Sequence, residues 1–214
     1  MEDLTNRDTQ SHDERFAGIQ PADALSRAVQ ITGDAFENGG RLYLCGNGGS
    51  AADCEHITGE LMKSFLVKRP LPEEDVRALD NADPSGKLSS SLQGALPAFS
   101  LVSQSAFMTA WMNDADPDLV YAQQVYGYGK KGDVLLCMST SGNAENVRLA
   151  VLAAKAKGMT SILLTGSSGG AVSEIVDLAV KLPADTTARI QELTLPFYHR
   201  FCAGLEARFF GRGS

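Results

Sequence analysis

Two turns rich in glycine and hydroxyl side chains have the clearest chemical meaning in this 214-residue sequence. The first spans residues 45–50 (CGNGGS) and the second spans residues 139–143 (STSGN). Each follows a short apolar run and precedes a helix-forming segment. Small residues at such a turn leave backbone N–H groups uncovered at the positive end of a helix, where phosphate groups bind. The sequence therefore predicts a site for a small anion, with hydroxyl donors from Ser50, Ser139, Thr140 and Ser141.

The first turn differs from the common nucleotide-binding loops. It lacks the glycine spacing of a dinucleotide fingerprint, and it has no Walker lysine. A tight turn without a ligand is the alternative interpretation of either loop taken alone. Because two such loops occur with hydroxyl side chains available in both, anion binding is favoured.

A second group of residues has the side chains needed for acid–base or metal chemistry. His56 and Glu60 are four residues apart on the helix after the first turn, so they share a face. A simple surface contact is the alternative for such a pair. Gln191 and His199 are eight residues apart on the last predicted helix, about 12 Å of helical rise. Pro196 lies between them and removes a backbone hydrogen bond, which would permit a bend.

The apolar patterns predict an α/β domain that positions these residues. A helix from about Pro21 to Phe36 precedes five strands, at residues 41–45, 97–102, 133–138, 160–165 and 178–182. Helices are predicted at 50–65, 104–112, 118–128, 145–157 and 188–210, with Ser50 as the N-cap of the first of these. This alternation indicates a doubly wound three-layer α/β/α sandwich with a parallel sheet. Both turns then lie at the carboxyl ends of strands, where ligands bind in such sheets.

The predicted organisation is a single domain over residues 14–214, preceded by a disordered arm over residues 1–13. Residues 66–96 are rich in proline, serine and acidic side chains, and they are predicted to be a long inserted surface loop.

Composition narrows the classes of protein and ligand. A formal net charge of −7 argues against nucleic acid as the main ligand. No apolar run approaches the length of about 20 residues that a membrane span needs, and the polar, acidic start does not resemble a secretory signal. We therefore expect a cytoplasmic protein. The four cysteines are too widely spaced for a metal knuckle, which predicts reduced, buried thiols.

Both turns resemble the two signatures of sugar isomerase (SIS) domains, and within this superfamily the chain is most similar to the phosphoheptose isomerases. Further matches are Asn113-Asp114 and the RIQE segment at 189–192. The resemblance covers roughly residues 20–65 and 97–210. It implies conversion of sedoheptulose 7-phosphate to D-glycero-D-manno-heptose 7-phosphate through an enediol. It also implies a homotetramer with active sites at subunit interfaces.

The resemblance further implies roles for individual residues. Glu60 and His199 would be the acid/base pair, assisted by one zinc ion per site. The zinc ligands would be His56, Glu60, Gln191 and His199. Contacts to substrate would come from Asn47, Gly48, Ser50, Asp114, Ser139, Thr140, Ser141 and Gln191. For Asp114, a helix cap is the alternative.

Some positions depart from the family pattern and leave the sugar open. Ala144 replaces a common serine, Thr194 stands where many members have histidine, and Thr187 and Ala188 stand where some have aspartate. One alternative function is therefore isomerisation of a different sugar phosphate. Another is a non-catalytic SIS adaptor that binds a partner such as a replication initiator, although an adaptor does not need a complete set of metal and acid/base side chains.

Overall fold

A computed structural model describes residues 21–211 of the protein. The arm predicted at residues 1–13 lies outside this range. Within it, the strands are β1 (Leu42–Gly46), β2 (Ala98–Ser100), β3 (Val134–Met138), β4 (Thr160–Thr165) and β5 (Leu178–Lys181). They form one parallel sheet in the order β2-β1-β3-β4-β5. The predicted five-stranded parallel sheet is confirmed.

Helices cover both faces of this sheet. They are α1 (Pro21–Glu37), α2 (Gly49–Met62), α3 (Glu73–Ala82), α4 (Lys87–Ser91), α5 (Ser105–Asp114), α6 (Val120–Tyr128), α7 (Glu145–Ala156) and α8 (Thr187–Phe210). Apolar side chains of α1, α2 and α8 form the core on one face, and those of α6 and α7 form the core on the other. The predicted three-layer sandwich is confirmed.

Burial on both sides explains why the central strands are continuous apolar runs. Every residue of β1 and β3 is buried, and a strand covered on both faces shows no alternation of polar and apolar side chains. Gly46 and Met138 are paired at the carboxyl ends of these two strands. The chain leaves β1 toward β2 and leaves β3 toward β4, so the strand order reverses between β1 and β3. Ligands of open α/β sheets bind at this switch point.

The segment 66–96 is not the continuous loop that its composition suggests, because it contains α3 and α4. Neither helix has a buried residue. Val76 and Leu79 share one face of α3 but are only half-buried, so the apolar signal is short beside the polar and acidic residues around it. Three acidic residues in the first turn of α3 favour helix formation there. Asp83 accepts hydrogen bonds from the backbone of Ser85 and Leu88 and so organises the start of α4.

The four cysteines are free and buried, as predicted. Cys45 and Cys137 come within 3.7 Å of each other, Sγ to Sγ, on the central strands. Burial raises the pKa of Cys54, and a hydrogen bond to Cys45 together with burial raises that of Cys137. The thiols of Cys54 and Cys137 therefore remain protonated, and all four cysteines serve as small core residues. Over residues 21–211, no helix is sufficiently long and apolar to cross a membrane.

Candidate active site

The first glycine turn places the N-cap of α2 two residues earlier than predicted. Gly48 is the N-cap, with φ +57° and no side-chain cap hydrogen bond, and α2 starts at Gly49. Ser50 is therefore inside the helix and buried, so its prediction as N-cap is wrong. Only glycine adopts the φ of Gly48 without strain, which allows the chain to enter the helix before a conventional cap residue is reached. The Ser50 hydroxyl thus has no capping role and is available at the turn.

Side chains from three elements fix this turn. Asn47 and Asn146 exchange side-chain amide hydrogen bonds of 2.9 and 3.0 Å, which join the first turn to α7. The hydroxyl of Tyr121 on α6 donates to the carbonyl of Gly46 at 2.6 Å. Burial raises the pKa of Tyr121, so its hydroxyl stays protonated and remains a donor. These contacts join the turn to α6 and α7.

The second turn is fixed by contacts with the chain after β4. Gly142 has φ +65°, and its carbonyl accepts a hydrogen bond from the Val172 N–H at 2.9 Å. The Asn143 side chain accepts from the Ala171 N–H, also at 2.9 Å. A Cβ atom on Gly142 would lie 1.8 Å from the carbonyl oxygen of Gly169. Glycine is therefore required here for both its φ and its size.

A cavity of about 330 Å³ lies between the two turns. In the described part of the chain, the backbone N–H groups of Gly48, Gly49, Thr140 and Ser141 donate no hydrogen bond. Grouped N–H donors at a helix N-terminus form an anion site. The residues that line the cavity are Asn47, Gly48, Gly49, Ser50, Met138, Ser139, Thr140, Ser141, Ala144, Thr187 and Gln191. The structure thus brings together seven of the eight predicted substrate contacts.

Asp114 is the predicted contact that does not reach this cavity. It is the exposed last residue of α5, and its carboxylate accepts a hydrogen bond from Asn113 at 2.7 Å. The alternative role as a helix cap is wrong, because Asp116 fills it by accepting from the Asp118 N–H.

Helices α2 and α8 lie side by side and run in the same direction. A Cβ atom on Gly49 would meet the Gln191 amide at 2.3 Å. Two turns further along, His56 contacts Tyr198, and beyond the end of α2 Phe65 contacts Glu206. The contacts therefore occur in the same order along both helices, as expected for parallel helices. Gly49 and His56 are separated by about 10 Å of helical rise.

We call the region of the two turns, Gly49 and Gln191 the first level of the site, and the region of His56 and Tyr198, about 10 Å further along α2 and α8, the second level. An acid/base cluster lies at the second level. His56 Nε2 is 3.2 Å from Glu60 Oε1, and the rings of His56 and His199 have centroids 5.2 Å apart. The His56 side chain is 42% exposed and that of Glu60 is 13% exposed, so the pair borders solvent on one side. Lys63 Nζ is 3.1 Å from the other Glu60 oxygen. The predicted acid/base residues Glu60 and His199 thus share His56 as a neighbour.

Tyr198 and Asp53 extend the cluster, and neither is among the site residues predicted from the sequence. The Tyr198 hydroxyl is 2.9 Å from His56 Nδ1. Burial raises the pKa of Asp53, and a hydrogen bond to Tyr198 and the charge of His56 offset part of that rise. Tyr198 lies within the apolar run of α8. Its position next to His199 is the only feature of the sequence that could have suggested a role in the site. A neighbour on His56 Nδ1 orients the ring so that Nε2 faces Glu60.

Gln191 is separated from this cluster along α8. The helix is continuous through Pro196, and the Gln191 amide lies against Gly49 at the level of the turns. Within residues 21–211, no three His, Cys, Asp or Glu side chains are grouped closely enough to hold a metal ion. The chain therefore presents the predicted metal ligands at two levels, with Gln191 at the first and His56, Glu60 and His199 at the second.

Comparison with known proteins shows to which family of proteins the chain belongs. The sequence profile of the SIS domain family matches residues 14–92 and 86–166. A phosphoheptose isomerase of Thiobacillus denitrificans is 36% identical over 200 residues, covering 90% of this chain and 89% of the relative. One from Burkholderia pseudomallei is 36% identical over 201 residues, covering 92% and 90%. The chain therefore belongs to the phosphoheptose isomerase family of SIS-domain proteins.

Solved structures agree with this assignment. The phosphoheptose isomerase of Francisella tularensis has a TM-score of 0.73 at 30% identity, covering 92% of this chain and 91% of its own. That of Neisseria gonorrhoeae has a TM-score of 0.72 at 29% identity, covering 94% of this chain and 92% of its own.

The residues matched by the SIS domain profile include most of segment 66–96. The prediction that the resemblance excludes this segment is therefore wrong.

Proposed function

We propose that the protein is a sugar-phosphate aldose–ketose isomerase that converts sedoheptulose 7-phosphate to D-glycero-D-manno-heptose 7-phosphate. The arrangement of the site along α2 and α8 carries this proposal. An anion cavity lies at the first level of these helices, and the cluster of His56, Glu60 and His199 begins about 10 Å further on. A sugar with its phosphate at one end and its carbonyl near the other can contact both levels.

Phosphate binding is assigned to the two turns. The hydroxyls of Ser50, Ser139, Thr140 and Ser141 would donate to phosphate oxygens, together with the unused N–H groups of the turns. Asn47, Gly48 and Gln191 would contact the sugar as it extends along α2. Fixing the phosphate this way holds the reacting carbons beside the acid/base cluster, which contributes through orientation.

Proton transfer is assigned to Glu60 and His199. The C1–H proton of the ketose is removed, and the C2 carbonyl oxygen gains a proton, which gives the 1,2-enediol. The O1 hydroxyl then loses its proton and C2 gains one, which gives the aldose. A carboxylate and an imidazole are suited to these transfers because each can accept a proton in one step and return it in another. His56 and Tyr198 would hold the two groups in position.

We also propose that the site binds zinc. His56 Nε2 and Glu60 Oε1 are 3.2 Å apart, close to the separation of about 3.3 Å between neighbouring ligands of a tetrahedral zinc ion. Imidazole and carboxylate donors suit this ion. His56 and Glu60 would hold it directly, and His199 would complete the set by rotating toward them, since no three such side chains within residues 21–211 are already grouped closely enough. Gln191 is about 12 Å of helical rise from His199 and would contact the sugar instead. The ion would polarise the sugar oxygens. Elemental analysis after incubation with zinc and gel filtration tests the site. Bound zinc that is lost in His56→Ala supports the proposal, whereas zinc-free wild-type protein contradicts it.

The proposed assembly is a cytoplasmic homotetramer with active sites at subunit interfaces. The exposure of Asp114 supports this, because the residue does not reach the cavity of its own chain and is available to the cavity of a neighbouring subunit. Light scattering coupled to gel filtration measures the assembly directly, and a monomeric enzyme with full activity would contradict it.

The isomerase activity is tested by incubating purified protein and zinc with sedoheptulose 7-phosphate and following the aldose product by NMR. We expect turnover by the wild type and a loss of about 10²-fold or more in Glu60→Gln, since acid–base groups commonly contribute 10²–10⁴-fold. Glu55→Gln, an exposed glutamate on the same helix, is the matched control and should retain activity. No product with this ketose, but product with another sugar phosphate, would overturn the substrate assignment. No product from any sugar phosphate would overturn the enzyme assignment.

A further inference from the structure

A buried ion pair joins the end of α2 to α8, outside the residues assigned to the site. Arg69 Nε donates to Glu206 Oε1 at 2.8 Å, and the side chains are 0% and 1% exposed. The Arg69 guanidinium also lies 5.1 Å from the centre of the Phe210 ring. Burying two charges has a large desolvation cost, and replacing such a pair with apolar residues is often neutral or stabilising. A buried ion pair is therefore weak evidence for a stabilising role by itself, and its other contacts indicate what it does.

Arg69 holds the turn of α2 that carries Glu60. Its Nη2 donates to the carbonyl oxygen of Glu60 at 2.8 Å, and its Nη1 donates to that of Leu61 at 2.6 Å. The last carbonyls of a helix have no partner within the helix, and a cation at this end is favoured by the helix dipole. The backbone of Glu60 is thereby fixed from outside α2.

Glu206 holds the chain on the other side of the cluster. Its carboxylate accepts hydrogen bonds from the N–H groups of Phe65, Leu66 and Val67 at 2.8, 2.7 and 3.2 Å. Burial alone would raise the pKa of Glu206, but these donors and Arg69 outweigh it and lower the pKa. The Phe65 ring packs against His199, with centroids 5.3 Å apart. One carboxylate thus fixes the segment that supports the His199 ring.

We propose that Arg69 and Glu206 are positioning residues that hold Glu60 and His199 in their relative orientation for proton transfer. This inference rests on the proposed function. The pair acts at the carboxyl end of α2, while the anion cavity is at its amino end. Loss of the pair should therefore change kcat and leave KM nearly unaltered. Neither residue contacts the cavity, so neither is a catalytic residue.

The test compares Arg69→Met with Arg208→Met, which removes another α8 ion pair. Arg208 joins α8 to α1 through Asp34 and Glu37 at 2.7 and 2.8 Å. We expect kcat of Arg69→Met to fall about tenfold or more, with KM within about twofold of wild type. Arg208→Met should keep both constants. Arg69→Lys retains the charge and should recover part of kcat.

The double variant Arg69→Met/Glu206→Met guards against misfolding, because it leaves no unpaired buried charge. We expect it to fold and to keep the kcat defect. The imidazole ¹H–¹⁵N signals of the three histidines give a readout independent of activity. The His199 signals should shift in Arg69→Met and in the double variant, and they should remain unchanged in Arg208→Met.

Unchanged His199 signals, or wild-type kcat in the folded double variant, would overturn the positioning role. If the wild type itself fails to convert any sugar phosphate, the proposed function is wrong. The histidine signals then still decide whether the pair orients His199.

Discussion

The two ends of the site are held in different ways. At the first level, Gly48 and Gly142 at positive φ shape the turns, and neutral side chains such as Tyr121, which donates to the Gly46 carbonyl, hold them in place. At the second level, side chains on α2 and α8 contact one another, and the buried pair of Arg69 and Glu206 secures the end of α2.

This difference separates binding from chemistry in physical terms. Neutral N–H and hydroxyl groups at the turns keep the same charge across the usual pH range, which suits retention of a phosphate. The acid/base level consists of titratable groups whose geometry depends on side-chain partners. Changes at the first level should therefore affect folding and substrate affinity, and changes at the second level should affect turnover.

The largest effect is expected at the second turn. Gly142→Ala places a Cβ 1.8 Å from the Gly169 oxygen at a positive φ, which should reduce the free energy of unfolding by about 3 kcal/mol or more. Gly48→Ala is the matched control, because it shares the positive φ but has no atom within 4 Å of the added Cβ, and it should cost about 1 kcal/mol. Urea denaturation measures both. Equal losses would show that the contact with Gly169 does not constrain the turn.

A smaller effect is expected when one phosphate donor is removed. Ser50→Ala deletes a hydroxyl that lines the cavity, and loss of a hydrogen bond to a charged group should raise KM about tenfold with little change in kcat. Thr58→Ala removes a hydroxyl from the same helix that is bonded to the Cys54 carbonyl, and its KM should stay at the wild-type value. A fall in kcat without a change in KM for Ser50→Ala would argue against separate levels.

The smallest effect concerns the pH dependence of stability. The pKa of Glu206 is lowered in the folded protein, so its contribution to stability is present above the ordinary glutamate pKa of about 4.3 and is lost as pH falls through the lowered value. In Glu206→Gln, Tm should therefore fall less steeply as the pH is lowered below about 4.3. In Glu145→Gln, which removes an exposed glutamate, the profile should remain near that of the wild type. Equal acid profiles for wild type and Glu206→Gln would contradict the assignment.

The sequence predicted the first level of the site better than the second. The glycine and serine turns are local motifs next to apolar strands, so six of their residues could be named before the fold was known. Helix α8 was also predicted nearly to its ends, because its apolar residues repeat along 24 residues. Local patterns of this kind require no knowledge of distant contacts.

The partners of the second level depend on long-range packing that no local pattern encodes. Tyr198 meets His56 across 142 residues of sequence, and Arg69 meets Glu206 across 137. Arg69 follows α2 in a stretch that composition assigns to a surface loop, yet it is fully buried. The exposed helices α3 and α4 were missed for the opposite reason, since they bury no residue.

Binding of sedoheptulose 7-phosphate to Glu60→Gln, measured by calorimetry, tests the division of the site most directly. The phosphate turns are intact in this variant, so the dissociation constant should stay within about threefold of the wild-type KM while turnover falls about 10²-fold or more. Loss of binding by more than about tenfold, or turnover near the wild-type rate, would contradict a site in which the turns bind and the helices transfer protons.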